Sequence, residues 1–598
     1  MAEVRHKGRI ALLAVIVLLV FGGIAVRLSF LHLRPAEWVL EPIEEGRMYE
    51  RKPMGSRGRI VDRNGEILAM DRPAYHVYAD PKYIAAHGDA DAVCKYLAME
   101  FQIPESEIRE KLSDTSRQYK VIKKYVPNHR LKRFTRRTMG VSYTPPGAED
   151  GIYLRGVKFA EVPIRSYPKG PLMAHVVGFA NREGVGGAGI ELRFNEYLQG
   201  KEGRRVTKVD GRRKEIYGER TIDILPEDGA TVTLTLDQQL QYVVEKTIEK
   251  TCVDFNAKGV WAIVQHVRTG EILAMASYPT YDLNRYGDAP PEWRRNNAIG
   301  FNYEPGSTMK AAVVGAAINQ GVVKETDLID CENGYWVYGR RALRDSHGEG
   351  TISVAEIIKV SSNIGTAKIA LMMGDQMVYE CLKSFGFGDR LGLPVPGEER
   401  GILYPPKTWS KIKVTRVAIG QGVATTALQV LSMMNAIAYS GVQMKPLLVK
   451  RVSAADGSVL REYHPEELGR PLSPDAARRM RTMLARVTEE GGTGTKARVE
   501  GYSVGGKTGT AQKINPAGGY FEKNFTSSFV GFLPVENPEI GIIVVADDPG
   551  VYSDTGRKTK YYGGTVCGPA FKEIAEFAVR YLRISPDGTR VYVARPDE

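Results

Sequence analysis

Apolar residues and glycine run without a break from Ile10 to Val26 (IALLAVIVLLVFGGIAV), and no second stretch of the chain matches it. The run sits at the short end of the ~17–25 residues needed to span a bilayer. Leu28, Phe30, Leu31 and Leu33 extend it, with Arg27 and Arg34 placed to snorkel toward a headgroup layer. Gly23-Ile24-Ala25 resembles a small-residue cleavage site, but the apolar run continues past it, which favours a retained transmembrane helix over residues 10–33. Beyond residue 40 the pattern breaks into short elements. Asp62-Arg63-Asn64-Gly65 separates two apolar runs, a strand–turn–strand signal. Residues 89–137 read as helical and charged. Thr231–Asp237 (TVTLTLD) alternates with period two, as a half-buried strand does, and Pro226–Gly229 just before it marks a boundary.

From there the pattern is α/β. Gln238–Lys250 predicts a helix, and Val260–Val267 with Glu271–Ser277 predicts a hairpin around Arg268-Thr269-Gly270. Thr308–Asn319 is apolar nearly all round, so its helix should be buried on every side. Val354–Met373 predicts a helix broken at Ser361-Ser362-Asn363, and Thr426–Tyr439 predicts another apolar helix. Phe529–Leu533 and Ile540–Ala546 predict paired strands, and Ala570–Leu582 a closing amphipathic helix. A chain of 598 residues exceeds what one core supports. The expected division is 1–9, 10–33, 40–225, 226–585 and a tail at 586–598.

Hydrophobic content of 43% and charged content of 25% are ordinary for a globular protein. Arg5, Lys7 and Arg9 precede the apolar run, so the positive-inside rule keeps residues 1–9 in the cytoplasm and sends the remainder outside. The net charge of +12 suits an anionic cell surface as well as a nucleic acid. Its densest cluster is Arg117, Lys120, Lys123, Lys124, Arg130, Lys132, Arg133, Arg136 and Arg137, interleaved with apolar residues. With no nucleic-acid signature beside it, the cluster reads as solvated faces and no nucleic-acid partner is expected. Cys94, Cys252, Cys331, Cys381 and Cys567 lie far apart with no C-x-x-C pair, which predicts free thiols, and neither a metal nor a cofactor is expected.

Three short motifs carry the candidate chemistry. Ser307-Thr308-Met309-Lys310 follows the turn Pro305-Gly306 and opens the buried helix. Ser307 therefore sits at a helix N-terminus, where developing negative charge is favoured. Lys310 lies one turn on and shares its face. A serine hydroxyl needs a base, and a lysine serves if burial lowers its pKa. Ser361-Ser362-Asn363 puts a hydroxyl and an amide where a helix pauses. Lys507-Thr508-Gly509, followed by Thr510, reads as a strand edge whose glycines allow close backbone approach. The backbone N–H groups of Ser307 and Thr510 are candidates for an oxyanion site.

Two rival readings share these residues. Gly501 to Thr508 fits G-x-x-x-x-G-K-T, and Ile540 to Asp548 resembles a Walker B strand. A phosphate-binding loop must open a helix, whereas Gly509–Gly519 carries three glycines and Pro516. His266 and His347 could belong to a Ser-His-Asp hydrolase, but no G-x-S-x-G elbow surrounds any serine.

S-x-x-K, S-x-N and K-T-G in this order form the set shared by β-lactamases and penicillin-binding proteins. The wider wording resembles the class B penicillin-binding proteins, most like their division-specific (septal) branch. The resembling segments are Arg57–Gly65 (RGRIVDRNG), Arg165–Pro168 (RSYP), His175–Gly178 (HVVG), Gly189–Glu191 (GIE), Tyr303–Lys310 (YEPGSTMK) and Gly506–Gln512 (GKTGTAQ). Met309 departs from the Phe often found there.

The resemblance implies a membrane-anchored peptidoglycan D,D-transpeptidase. Its fold would be the serine penicillin-recognising one, a mainly antiparallel sheet with helices on both sides, within residues 226–585. A β-rich extended pedestal at 40–225 would precede it. The resemblance makes Ser307 the nucleophile, Lys310 its base, Ser361 a proton shuttle and Asn363 a ligand of the peptide amide. Lys507, Thr508, Gly509 and Thr510 would hold the D-Ala carboxylate. Stem peptides or their lipid-linked precursor would be substrates, and β-lactams covalent inhibitors. Partners would be a septal membrane glycosyltransferase and other division proteins at the inner membrane. A D,D-carboxypeptidase, or a β-lactam-binding scaffold of the same fold, is the alternative. A class A β-lactamase is disfavoured because no E-x-x-x-N follows Ser307; Glu292 to Asn296 fits the pattern but precedes it.

Overall fold

The computed structural model describes residues 2–33, 47–137, 139–210, 215–552 and 558–587. Arg34 and most of the expected tail, 588–598, lie outside the described residues. The chain divides into two compact units, Met1–Ser56 with Gly200–Asp228, and Arg57–Gln199 with Gly229–Glu598. The first holds the helix α1 (Ala2–Leu33), of which Lys7–Leu33 is long and apolar enough to cross a membrane. It also holds an antiparallel sheet of Met48–Arg51, Arg204–Val209 and Glu215–Ile224.

The second unit starts with the predicted strand–turn–strand: β1 (Ile60–Val61) and β2 (Ile67–Ala79). Asp62 holds the turn, its carboxylate accepting the N–H groups of Asn64 (2.8 Å), Glu66 (2.9 Å) and Gln238 (3.1 Å). The expected run of helix over 89–137 is only partly present. Helices α2 (Ala90–Phe101) and α3 (Glu105–Ser113) form, but β3 (Lys120–Pro127), a short 3-10 turn and β4 (Phe134–Arg137) follow. Ile122 and Val126 are buried on β3 while its lysines face solvent, and a register shift beside Tyr125 (φ 55°) breaks the alternation. That break produced a helix-like spacing in a strand. Strands β5 (Gly140–Tyr143), β6 (Ile152–Arg155) and β7 (Val157–Ser166) complete this lobe, with β7 paired along the whole outer length of β2.

Three of the segments that resemble the class B motifs, Arg57–Gly65, Arg165–Pro168 and Gly189–Glu191, meet in one buried ion cluster. Glu191, with 0% exposure, accepts from Arg57 Nε (2.7 Å), Arg165 Nε (2.6 Å) and the Tyr167 hydroxyl (3.3 Å). Arg165 also reaches Asp71 at 3.2 Å. Strand β8 (Thr231–Leu234) then runs parallel to β1.

Helix α4 (Gln238–Asp254) begins at Asp237, whose carboxylate caps the N–H groups of Gln239 and Leu240. Strands β9 (Gly259–His266) and β10 (Ile272–Tyr278) form the predicted hairpin. His266 and Thr269 Oγ1 hydrogen-bond at 2.9 Å to close its turn, a structural role. Helix α5 (Met309–Asn319) has every residue from Met309 to Ile318 buried. Helices α6 (Val354–Val360) and α7 (Asn363–Met373) flank the polar break, and α8 (Ala427–Ala438) follows. Strands β11 (Val449–Ser453) and β12 (Val459–Glu462) join β8, so the sheet runs β12-β11-β8-β1-β2-β3.

The central sheet closes with β13 (Gly505–Ile514), β14 (Tyr520–Leu533) and β15 (Ile540–Asp547), in the antiparallel order β10-β9-β15-β14-β13. Its inner strands read as continuous apolar runs because both faces are covered. On β15, Ile540, Ile542, Val544 and Ala546 pack with α4 and the closing helix α9 (Gly563–Tyr581). Ile543 and Val545 point the other way, into the cluster that contains α5 and α8. The expected α/β fold, a mainly antiparallel sheet with helices on both sides, is the observed one. All five cysteines are free thiols, as their spacing predicted.

Candidate active site

Ser307 sits in a 3-10 turn, Gly306–Thr308, that runs straight into α5. It is half-buried, and its hydroxyl takes no hydrogen bond among the described residues. Gly306 (φ 56°) lets the backbone turn there, and a Cβ on it would lie 3.3 Å from the Thr510 carbonyl oxygen. A Cβ on Gly509 would lie 2.8 Å from the Pro305 carbonyl oxygen. The edge strand β13 can thus run directly against the serine turn only because both positions are glycine. Residues Lys507 to Thr510 therefore lie on a strand beside the serine, and the phosphate-loop reading, which required a helix, fails.

Lys310 is fully buried. Its Nζ donates to the Ser361 carbonyl (2.6 Å), to Asn363 Oδ1 (2.7 Å) and to Ser361 Oγ (3.2 Å). Burial pulls its pKa from 10.5 down to about 7, against the opposing pull of the Asp345 carboxylate. Lys507 is equally buried, and its Nζ donates to Ser361 Oγ at 2.8 Å. Burial first, and the nearby Lys310 charge second, hold Lys507 well below its ordinary value. Two amino groups thus converge on one serine hydroxyl, and near neutral pH one of them sheds its proton readily.

Ser361 adopts the left-handed conformation (φ 63°, ψ 43°), unusual for a residue with a side chain. It ends α6 while Ser362 caps α7 through Gly365 N. This backbone is held by a residue the sequence did not flag. Asp345, after the hairpin Tyr335–Arg344, accepts from Ser362 Oγ (2.6 Å), Asn363 N (2.5 Å) and Ile364 N (3.1 Å). Thr508 Oγ1 bonds Thr493 Oγ1 at 3.1 Å, and Thr510 Oγ1 accepts from Gly563 N at 3.0 Å. Glu304 was missed as well. Nearly buried, it accepts from Gly422 N (2.6 Å) and the Tyr520 hydroxyl (3.2 Å), tying the serine turn to a distant loop and to the start of β14. Asp345 stands in no spacing that would mark it, and Glu304, though inside the segment Tyr303–Lys310, stands in none that assigns it this role.

Asp345 positions Asn363 through its backbone N–H, and Ser361 through the neighbouring Ser362 hydroxyl. Asp345→Asn keeps the shape and loses the charge. The expected result is a roughly tenfold to hundredfold slower acylation, the scale on which misplacing a reacting group acts. Because the Asp345 charge raises the Lys310 pKa, the rising limb of the pH–rate profile should also move to lower pH. A slower rate with an unmoved limb would mean that the charge does not act on Lys310.

The arrangement joins a free hydroxyl at a helix start, a lysine able to accept its proton, and a hydroxyl relay to a second lysine. It suits nucleophilic acyl transfer. The model for the penicillin-binding protein transpeptidase domain matches residues 260–576, and that for the penicillin-binding protein dimerisation domain matches residues 53–234. The probable peptidoglycan D,D-transpeptidase PenA of Neisseria meningitidis serogroup A is 31% identical over 97% of this chain and 94% of its own. The peptidoglycan D,D-transpeptidase FtsI of Escherichia coli K12 is 29% identical over 97% and 92%. A crystal structure of penicillin-binding protein 3 from Mycobacterium tuberculosis, complexed with aztreonam, is similar with a TM-score of 0.67 and 27% identity, covering 90% of this chain and 98% of that one.

Proposed function

The chain belongs to the class B penicillin-binding proteins and is a serine-type peptidoglycan D,D-transpeptidase; on that premise we propose that it cross-links stem peptides at the division septum through an acyl-enzyme on Ser307. The observation that carries the residue assignment is Lys310: fully buried, drawn to near-neutral pKa, and pinned to Ser361 and Asn363 one turn from an unengaged Ser307 hydroxyl.

Ser307 Oγ attacks the carbonyl carbon of the penultimate D-Ala as its proton passes to neutral Lys310. The oxyanion is met by the backbone N–H groups of Ser307 and Thr510. The C–N bond then breaks, and a proton relayed through Ser361, poised between Lys310 and Lys507, reaches the leaving D-Ala amine. The departing terminal D-Ala leaves an ester on Ser307. The amine of a neighbouring stem attacks this ester and gives its proton to Lys310, which passes it to Ser307 Oγ as the ester C–O bond breaks. Asn363 binds the peptide amide, while Thr508, Gly509 and Thr510 with the Lys507 charge hold the terminal carboxylate. A β-lactam enters the same chemistry and stays on Ser307.

Residues 226–585 form the transpeptidase portion of this reading, and residues 40–225 the pedestal that receives division proteins and a membrane glycosyltransferase. Arg5, Lys7 and Arg9 before the apolar run support a catalytic portion outside the cytoplasmic membrane. The likeness to FtsI supports the septal assignment.

The test uses the full chain in detergent. Incubation with a fluorescent penicillin should give one covalent adduct, and mass spectrometry should place it on the peptide that contains Ser307. With a D-Ala-D-Ala donor, rising concentrations of an amine acceptor should divert product from hydrolysis to transfer. An adduct elsewhere would overturn the nucleophile assignment. Hydrolysis indifferent to acceptor would make the protein a carboxypeptidase.

A further inference from the structure

Between Asp114 and Glu149 the sequence carries nine lysines and arginines and no acidic residue, against a net charge of +12 for the whole chain. The catalytic reading does not use this surplus. In the structure it clusters around β3, the last strand of its sheet, which pairs only with β2 among the described residues. Lys123 and Lys124 stand exposed on β3, Arg130 and Lys132 on the turn after it, and Arg136 on β4. Nearby carboxylates are few and committed. Asp114 takes Lys120 (2.9 Å) and Arg117 (3.7 Å), while Glu100 takes Arg133 (3.2 Å) and the Tyr143 hydroxyl (2.9 Å). Lys123, Lys124, Lys132 and Arg136 have no carboxylate partner among the described residues. A cavity of about 430 Å³ opens beside Lys132, lined also by His129, Arg130, Arg133 and Glu100.

Lysines on an edge strand ordinarily deter other strands from adding to it. That deterrence is selective, since it turns away neutral and basic segments and draws in an acidic one. Guarding eight residues of edge does not call for Arg130, Lys132 and Arg136 as well. A lipid surface would use the cations alone, whereas the unpaired N–H and C=O groups of a strand edge suit an extended peptide. We propose that the β3 edge is a docking site for an acidic, extended segment of a partner protein. The segment adds as a further strand, with its carboxylates meeting Lys123, Lys124 and Lys132.

The test measures fluorescence anisotropy of two labelled peptides of equal negative charge against the full chain in zwitterionic nanodiscs. One alternates Glu with Val and Thr; the other carries Pro in place of alternate apolar residues and cannot complete a ladder. The first should bind at least tenfold more tightly than the second, and more weakly as salt rises. The triple variant Lys123→Glu/Lys124→Glu/Lys132→Glu should lose tenfold or more in affinity while its penicillin labelling stays unchanged. Equal affinity for the two peptides, or undiminished binding by the triple variant, would overturn strand addition. If neither peptide binds while phosphatidylglycerol vesicles pull down the wild type and not the variant, the surface serves lipid and the proposal fails.

Discussion

Lys310→Met should acylate at least a hundredfold more slowly than the wild type, and its stability relative to the wild type should fall as pH rises from 6 to 10. The rate follows from chemistry, because a serine stripped of a positioned base loses on the order of 10²–10⁴ in rate. Stopped-flow labelling with a chromogenic β-lactam measures it. The wild-type rate should climb with pH and level off above about 7, where Lys310 gives up its proton; the variant should lack that limb. In the unfolded chain the lysine titrates at 10.5, and in the folded chain at about 7. Between those values the unfolded state binds more protons, so wild-type stability rises with pH through this window, and below it the whole cost of a buried ammonium is present. That cost is on the order of 5 kcal/mol. Methionine removes it but leaves the Ser361 carbonyl and Asn363 Oδ1 without a donor, at roughly 1–3 kcal/mol each. The variant should thus stand on the order of 5 kcal/mol better relative to the wild type at pH 6 than at pH 10. Acylation above a tenth of the wild-type rate, or a stability difference flat with pH, would sink the assignment of Lys310 as the base.

The hydrophobic pattern and the motif order carried much of this architecture. The apolar helix around Lys310, the pause at Ser361 and the strand of Lys507 were each legible because a local rule sufficed: all-round burial, a polar break, glycines at a strand edge. The strand Lys120–Pro127 was not legible, since its bulge destroys the two-residue alternation and its lysines imitate a helix face. Asp345 and Glu304 were missed for another reason. Asp345 grips residues 17 to 19 positions away, and Glu304 reaches partners 118 and 216 positions away. No periodicity records such a contact. Lys507 shows the limit within a recognised motif. The sequence assigns it a cation for substrate, while the structure turns its amine onto Ser361 Oγ at 2.8 Å.

Glu191→Ala should cost the fold about 3–5 kcal/mol, the range found when one member of a buried ion cluster is removed. The carboxylate is fully enclosed, and the Arg57 and Arg165 side chains that grip it are only 4% and 3% exposed. Deleting it leaves two guanidinium groups without their common partner in a space closed to water. Asp71 relieves Arg165 in part through its contact at 3.2 Å, and Arg57 keeps Asn195 Oδ1 at 2.8 Å, which holds the expected loss near the lower end of the range. Thermal melts of wild type and variant at pH 7 measure it. The labelling rate per folded molecule, taken well below the melting range, should stay within about twofold, because no atom of the cluster reaches Ser307 or Lys310. The neutral replacement Glu191→Leu/Arg165→Met should recover part of the loss, since an apolar pair of similar volume removes one of the stranded charges. A drop of less than 1 kcal/mol in Glu191→Ala would mean that water or neighbouring carbonyls already satisfy the arginines. The segments Arg57–Gly65, Arg165–Pro168 and Gly189–Glu191 would then need a reason for their chemistry other than closing this cluster.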